Sequence, residues 1–173
     1  MRKSTLSIAA VLTAIVGIII LIAWRYHQPH PLNIGDKLPE FEVPALSSGR
    51  LHLEDTRGRI LVLNFWATWC PPCVEETPSL VRFAEKMRAS QVDVVSVSED
   101  QDAKALSEFV TQYHVTFPVG RDPDRSLAAR FGTKLFPETY IFDRHGRLAL
   151  KIADPANWDD PRLQEFVLEL AGK

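Results

Sequence analysis

The chain has 173 residues, of which 46% are apolar and 24% are charged, and its formal net charge is -2. This composition is typical of a folded globular protein and excludes a disordered chain. Every acidic residue lies beyond residue 24, so the remaining 149 residues carry 18 basic and 22 acidic side chains, a net charge of -4. A field of that sign does not attract a phosphate backbone, so we expect no nucleic-acid partner. A segment of that length fits one domain.

The N-terminal segment is apolar enough to predict a membrane anchor. Residues 5–24 carry no charge, and about 20 apolar residues in a helix cross a hydrocarbon core roughly 30 Å thick. Because Arg2 and Lys3 precede this run, the positive-inside rule places the N-terminus in the cytoplasm. We therefore expect residues 1–24 to be a single-pass anchor in the cytoplasmic (inner) membrane, with the following domain in the periplasm or outside the cell membrane. The alternative is a cleaved signal peptide, but the run is longer than a usual signal-peptide core and has no clear cleavage site.

A linker and one domain follow the anchor. Residues 25–37 contain two prolines and a glycine without a periodic apolar face, which indicates an extended linker. We assign residues 38–173 to the domain. Its first segment, 38–53, suggests a hairpin that turns at residues 47–49.

The rest of the domain alternates strand and helix patterns. Runs 60–66 and 92–97 are rich in β-branched residues, as in the central strands of a sheet. Apolar residues recur at helical spacing between them, so we predict a crossover helix and parallel strands. Further along, the patterns predict a helix at 103–114, a strand at 117–119, a helix at 124–131 capped by Gly132, a hairpin of strands 139–143 and 147–152, and a last helix from Pro161 with Asp160 as N-cap. This order predicts an α/β fold with a central mixed sheet flanked by helices.

Reactive chemistry is concentrated at Cys70-Pro71-Pro72-Cys73, between a predicted buried strand and a helix N-terminus. A thiolate at a helix start is favoured by the free N–H groups and the positive dipole end. Two intervening residues allow the sulfurs to close a small ring, and proline is tolerated in the first helical turn. We expect Cys70 to be the exposed, attacking thiol and Cys73 to be the half-buried, resolving one.

Other uses of two cysteines fit the sequence less well. A structural zinc site normally needs four ligands, and the five histidines are scattered along the chain, so we expect no metal ion and no cofactor. A peroxidase usually sets its cysteine in a Pro-x3-Thr-x2-Cys pattern, but Ala67 and Cys70 stand where the threonine would be for Cys70 and Cys73. A copper-binding thiol module is the third possibility, and nothing in the sequence demands it.

The segment LVLNFWATWCPPCVEETP, with Pro78 five residues past Cys73, resembles the membrane-anchored, thioredoxin-like TlpA, ResA and CcmG (DsbE) group. The resemblance covers about residues 33–170 and implies a thioredoxin-like fold with an N-terminal hairpin and an extra helix-strand insertion before Pro137. It also implies a cis peptide bond before Pro137. Such a bond presents backbone groups to an extended substrate, so we assign Pro137, Phe136 and Trp69 to substrate binding.

The resemblance also indicates a proton-exchanging group. Thioredoxin has a buried Asp six residues before its first Cys, whereas this chain has Asn64, which cannot exchange a proton near neutral pH. The group's acidic residue three positions past the second Cys corresponds to Glu76, which we take as the catalytic proton donor and acceptor. The alternative is that Glu76 only interacts with the helix dipole.

From this resemblance we expect an extracytoplasmic thiol-disulfide oxidoreductase that reduces disulfides in envelope proteins through Cys70 and Cys73. Apocytochrome c, during cytochrome c maturation, is one candidate substrate. The implied partners are oxidised proteins, a thiol electron donor in the membrane, and the membrane itself through the N-terminal helix. The alternatives are a disulfide-forming oxidant, a peroxiredoxin-like peroxidase and a copper-binding thiol module.

Overall fold

The computed structural model describes residues 2–26, 31–47, 49–52, 56 and 58–172, in two units that divide after His30. The first unit is helix α1 (Arg2–Tyr26), whose side chains are described for residues 11–23. Among the described residues, no helix has both the length and the apolar content that crossing a membrane requires. The membrane anchor over residues 1–24 therefore stays a prediction.

The second unit is an α/β domain built on a five-stranded sheet. Its elements are β1 (Glu42–Pro44), β2 (Arg50–His52), β3 (Ile60–Trp66), α2 (Pro71–Met87), a 3₁₀ turn (Arg88–Ser90), β4 (Val92–Ser98), α3 (Ala103–Gln112), β5 (Val119–Arg121), α4 (Ser126–Phe131), β6 (Glu138–Phe142), β7 (Leu148–Ile152) and α5 (Pro161–Gly172).

The sheet is mixed, with strand order β5-β4-β3-β6-β7. Strand β4 is parallel to β3 and β5, whereas β6 is antiparallel to β3 and β7. The predicted crossover helix, parallel central strands and C-terminal hairpin are therefore confirmed. The strand predicted at 117–119 was misplaced by two residues, because Pro118 has no N–H to donate and contributes only its carbonyl, to Ser96 N at 3.0 Å.

The central strand is apolar throughout because both faces of the sheet are covered. Leu61, Leu63 and Phe65 pack in a cluster with α4. Ile60 and Val62 pack on the opposite face, in a cluster with residues of α2 and α5. This alternation follows from the two-residue period of a strand and makes each face of β3 part of a separate core.

The N-terminal hairpin is confirmed as the antiparallel pair β1–β2, although residues 48 and 53 of the predicted segment lie outside the described residues. It packs beside β5, where a Cβ at Gly120 would lie 2.5 Å from Val43 Cγ2, so only glycine fits. The sequence assigns residues 25–37 to a linker, of which 27–30 are not described. In the structure, Gly35 N–H donates to Leu148 O at 2.8 Å, and Leu38 N–H to Gly146 O at 2.8 Å.

The predicted helix ends are also found. Gly132 ends α4 in the left-handed region at φ 74°, which non-glycine residues rarely adopt. The Asp160 carboxylate accepts a hydrogen bond from Arg162 N–H at 2.9 Å at the start of α5, as an N-cap does.

Candidate active site

The two cysteines lie where the central strand gives way to a helix. Strand β3 ends at Trp66, helix α2 begins at Pro71, and Cys70 is its N-cap residue. Cys70 and Cys73 form a disulfide with their Cα atoms 5.3 Å apart, which confirms that the pair can close the predicted ring. The disulfide therefore lies just beyond the carboxyl end of β3, beside the N–H groups at the start of α2 that have no partner within the helix.

Both cysteines are more buried than their sequence positions predict. Cys70 is 5% exposed and Cys73 is 3% exposed, so the expectation of an exposed Cys70 and a half-buried Cys73 was wrong for the disulfide form. The reason is that both residues belong to an apolar cluster that includes Trp66 and residues of α3, with Phe136 packed against it.

The segment opposite the disulfide has the predicted cis bond. The Phe136–Pro137 peptide bond is cis, and Phe136 O lies 3.5 Å from Cys70 Sγ. In the disulfide the sulfur has no proton, so this is a contact; the reduced thiol has a proton that it can donate to the carbonyl. The cis geometry is confirmed, and the role of Pro137 in substrate binding stays a prediction.

Exposed apolar side chains lie next to Cys70 and next to Phe136 in the sequence. Trp69 is 63% exposed and Leu135 is 75% exposed, while Trp69 and Phe136 meet edge to face with ring centroids 6.2 Å apart. Apolar side chains left in solvent beside a reactive group are typical of a surface that contacts another molecule. This placement supports the assignment of Trp69 and Phe136 to substrate binding, which also stays a prediction.

Glu76 is buried and accepts three hydrogen bonds. Its Oε1 accepts from Trp158 Nε1 at 2.7 Å and from Asn64 Nδ2 at 3.4 Å, and its Oε2 accepts from Ala156 N at 3.0 Å. Burial raises the pKa of the Glu76 carboxyl above its ordinary value, and the hydrogen bonds from Trp158 and Ala156 oppose that rise without cancelling it. Neighbouring Glu75 is exposed, so the two acids have different environments.

The position of Glu76 suits proton exchange with the cysteine pair. Residues three apart on a helix have Cβ atoms about 5–6 Å apart, which places Glu76 beside Cys73. Asn64 lies on the face of β3 that is turned towards Glu76, and its Nδ2 also donates to Thr139 Oγ1 at 2.9 Å. Asn64 therefore orients the Glu76 carboxylate without exchanging a proton. A buried carboxyl with a raised pKa can hold a proton that a thiol releases. That role for Glu76 stays a prediction.

Several contacts around the site could not be inferred from local sequence. Trp158 and Ala156 reach Glu76 from about 80 positions away. Asp100 accepts from Thr68 N at 2.9 Å and from Thr68 Oγ1 at 2.5 Å, and so ties the end of β4 to the loop that precedes Cys70. One sequence signal could have indicated Asp100: the acidic pair Glu99 and Asp100 directly follows a central parallel strand. The ends of such strands meet at one edge of a sheet, so residues there lie close to the residues that follow β3.

The fold and the site together define a class of protein. A mixed five-stranded sheet carries a Cys-x-x-Cys disulfide at the start of the helix after its central strand, opposite a cis-proline. This is the arrangement of thioredoxin-like thiol-disulfide oxidoreductases. Among the described residues, no three His, Cys, Asp or Glu side chains are grouped so that they could hold a metal ion.

Residues 34–151 match the sequence model of the AhpC/TSA family, and the chain belongs to this family. It is 31% identical over 121 residues to the thiol-disulfide oxidoreductase ResA of Bacillus anthracis, covering 70% of each chain. It is 30% identical to the thioredoxin-like protein YneN of Bacillus subtilis, covering 76% of this chain and 84% of that one. A crystal structure of a thiol:disulfide interchange protein DsbE from Chlorobium tepidum superimposes with a TM-score of 0.76 at 30% identity, covering 82% of this chain and 99% of the other. The protein is a thiol-disulfide oxidoreductase of this ResA and DsbE type.

Proposed function

We propose that this protein is a membrane-anchored reductase that acts outside the cytoplasm on disulfides of envelope proteins. The observation that carries the direction is the pair of prolines at the start of α2. An N-cap side chain normally accepts from the N–H groups of the second and third helical residues. Pro72 is the second residue and has no N–H, so among these positions only Cys73 N–H is left to face the Cys70 sulfur.

Fewer donors at the helix start favour the reducing direction. Strong oxidants of this class have a reduced form that is stabilised, which in DsbA accompanies a thiol pKa of about 3.5. Removing a donor destabilises the Cys70 thiolate and therefore favours the disulfide. The Glu76 carboxylate beside Cys73, when ionised, acts in the same direction because like charges repel.

The proposed reaction transfers two electrons to the substrate disulfide and two protons to its sulfurs: one comes from Cys73, and the other comes from the solvent, to which Cys70 released its proton on forming the thiolate. The Cys70 thiolate attacks one sulfur of a substrate disulfide and forms a mixed disulfide, which releases the first substrate thiolate. Cys73 then attacks the Cys70 sulfur, closes the Cys70–Cys73 disulfide and releases the second substrate thiolate. Glu76 accepts the proton that Cys73 loses and passes it on to a leaving thiolate. A thiol electron donor in the membrane reduces the disulfide again by the same exchange.

The location is part of the proposal and has its own test. The uncharged run at 5–24 after Arg2 and Lys3 supports an anchor with an outside domain. Alkaline phosphatase fused after Lys173 should be active in cells, whereas a fusion to a chain lacking residues 1–24 should be inactive. Equal activity of the two fusions would contradict the anchor and the location together.

The direction is tested by equilibrating the purified protein with glutathione or dithiothreitol buffers. A reductant should have a potential well below the roughly -120 mV of DsbA. A value near that of DsbA would contradict the reductant and leave disulfide formation as the function. Among substrates, we propose apocytochrome c; loss of covalent haem from c-type cytochromes in a deletion strain, restored by wild type but not by Cys70→Ser, would support it.

A further inference from the structure

Two consecutive acidic residues, Glu99 and Asp100, follow β4 near the active site, where the loop before Cys70 and the loop before Pro137 meet at the disulfide. Asp100 binds the Thr68 backbone and hydroxyl on the cysteine side. Glu99 N–H donates to Trp66 O at 3.0 Å, which fixes its place next to the end of β3. The Glu99 side chain is fully buried, and neither carboxyl oxygen has a hydrogen-bond partner. The Asp100 contact holds the loop before Cys70 in place, whereas the buried Glu99 carboxyl has no role in the reaction proposed above.

Arg125 connects this carboxyl to the other loop. Its Nε lies 3.7 Å from Glu99 Oε2, and its guanidinium carbon lies 4.9 Å from the centroid of the Phe136 ring. The Phe136 carbonyl in turn contacts Cys70 Sγ. A cation over an aromatic face within about 6 Å attracts the ring. Glu99, Arg125 and Phe136 thus form a continuous series of contacts from the buried end of β4 to the reactive sulfur.

Glu99 does not neutralise the charge of Arg125 at neutral pH. Burial, followed by Asp122, raises the pKa of Glu99 to about 8, with smaller contributions from Asp124 and Asp100, while Arg125 acts in the opposite direction. Glu99 is therefore mostly protonated at pH 7, and its neutral carboxyl does not draw the half-exposed guanidinium away from the Phe136 ring. Above pH 8 the Glu99 carboxylate attracts the guanidinium and competes with the ring for it.

We propose that Arg125 is a positioning residue for thiol-disulfide exchange: it holds the Phe136 ring, and with it the carbonyl that faces Cys70, and Glu99 governs how firmly it does so. The inference depends on exchange at Cys70 and not on its direction, so a failure of the reductant proposal leaves it intact.

The test compares Arg125→Gln with Arg130→Gln in the full-length protein. Arg130 lies in α4, the helix that Arg125 immediately precedes, but its guanidinium donates to Glu40 O. With a synthetic peptide containing one disulfide as substrate, Arg125→Gln should lower kcat/KM about three- to tenfold, mainly through KM, because Arg125 itself touches the Phe136 ring and not the reacting sulfur. Arg125→Lys, which keeps the charge, should recover part of the loss, and Arg130→Gln should equal wild type.

A double-mutant cycle decides whether Glu99 acts through Arg125. In wild type, kcat/KM should show a change centred near pH 8 that Glu99→Gln lacks. In the Arg125→Gln background, Glu99→Gln should have no further effect on that profile. Additive effects of the two substitutions, or a kcat/KM of Arg125→Gln within twofold of the Arg130→Gln control, would overturn the proposal. Near-ultraviolet circular dichroism of each variant shows whether it is folded. If Arg125→Gln is not folded, Arg125→Lys takes its place in the comparison with wild type.

Discussion

Replacing Glu76 by Gln is expected to cost stability as well as alter the thiol chemistry. Gln has the same size, but one carboxylate oxygen becomes an NH₂ group. Since both oxygens of Glu76 accept hydrogen bonds from N–H groups, the NH₂ faces a donor in either orientation of the amide. One buried N–H then loses its acceptor, which costs about 1–3 kcal/mol. Urea unfolding of the oxidised protein at pH 7 measures this loss.

The stability difference should depend on pH. The folded-state pKa of Glu76 is raised above its ordinary value of 4.5, so the folded protein holds this proton more tightly than the unfolded chain. The resulting contribution to the free energy of unfolding is complete below pH 4.5 and is lost as the pH rises through the folded-state pKa. The difference between wild type and Glu76→Gln should therefore be largest in acid and smaller at neutral pH.

The effect on the thiol follows from charge. Taking the Cβ spacing of about 5–6 Å for residues three apart on a helix as the separation of the charges, an ionised Glu76 disfavours the Cys73 thiolate by roughly 1.5–3 kcal/mol at an effective dielectric constant of about 20–40, or about one to two pKa units. In a Cys70→Ser background, Glu76→Gln should lower the pKa of Cys73 by that amount, measured by the ultraviolet absorbance of the thiolate. Slower turnover at neutral pH should accompany this shift, because the proton acceptor is missing.

Glu75→Gln is the matched control, because Glu75 is adjacent, has the same charge and is exposed. It should change the free energy of unfolding by less than about 0.5 kcal/mol, and solvent should screen most of its effect on the thiol. If Glu76→Gln behaves like Glu75→Gln in stability and in thiol titration, Glu76 is only a helix-dipole residue and its catalytic assignment is wrong.

Three further predictions concern the cysteines, the helix start and the core. Cys73→Ser should accumulate mixed disulfides with substrate on Cys70, seen by non-reducing electrophoresis, whereas Cys70→Ser should accumulate none; equal trapping would reverse the assigned roles. Pro72→Ala restores an N–H donor at the second helical residue, so the pKa of Cys70 should fall by about one unit and the reduction potential should rise; an unchanged potential would remove the main argument for a reductant. Phe131→Ala should lower the free energy of unfolding by about 3–5 kcal/mol, because this ring is fully buried against four other aromatic rings; a loss below 1 kcal/mol, measured by urea unfolding, would contradict the packing.

The most accurate sequence predictions were those based on patterns that repeat every two to four residues. The central strand, the crossover helix and the hairpins depend on which neighbouring residues are apolar, and the structure has them at nearly the predicted residues. The disulfide followed from a spacing of three residues, and the cis bond before Pro137 from the resemblance. Local sequence carries this information because strand and helix periods and turn chemistry act over a few residues.

The burial of Cys70, the three donors to Glu76 and the contacts of Glu99 were decided by the tertiary structure. Each depends on side chains that are distant in sequence: Phe136 packs against the cluster that holds Cys70, and Trp158 reaches Glu76 from the segment before α5. Burial and charge at a site are sums over all neighbouring elements, and a strand or helix pattern does not state which elements those are. The sequence by itself therefore determined where the reactive sulfurs lie along the chain and which fold holds them. Only the packing of α3 and the cis-proline segment against the cysteines decided how accessible the sulfurs are. The segment before α5 decided the environment of Glu76, the group we expect to exchange protons with them.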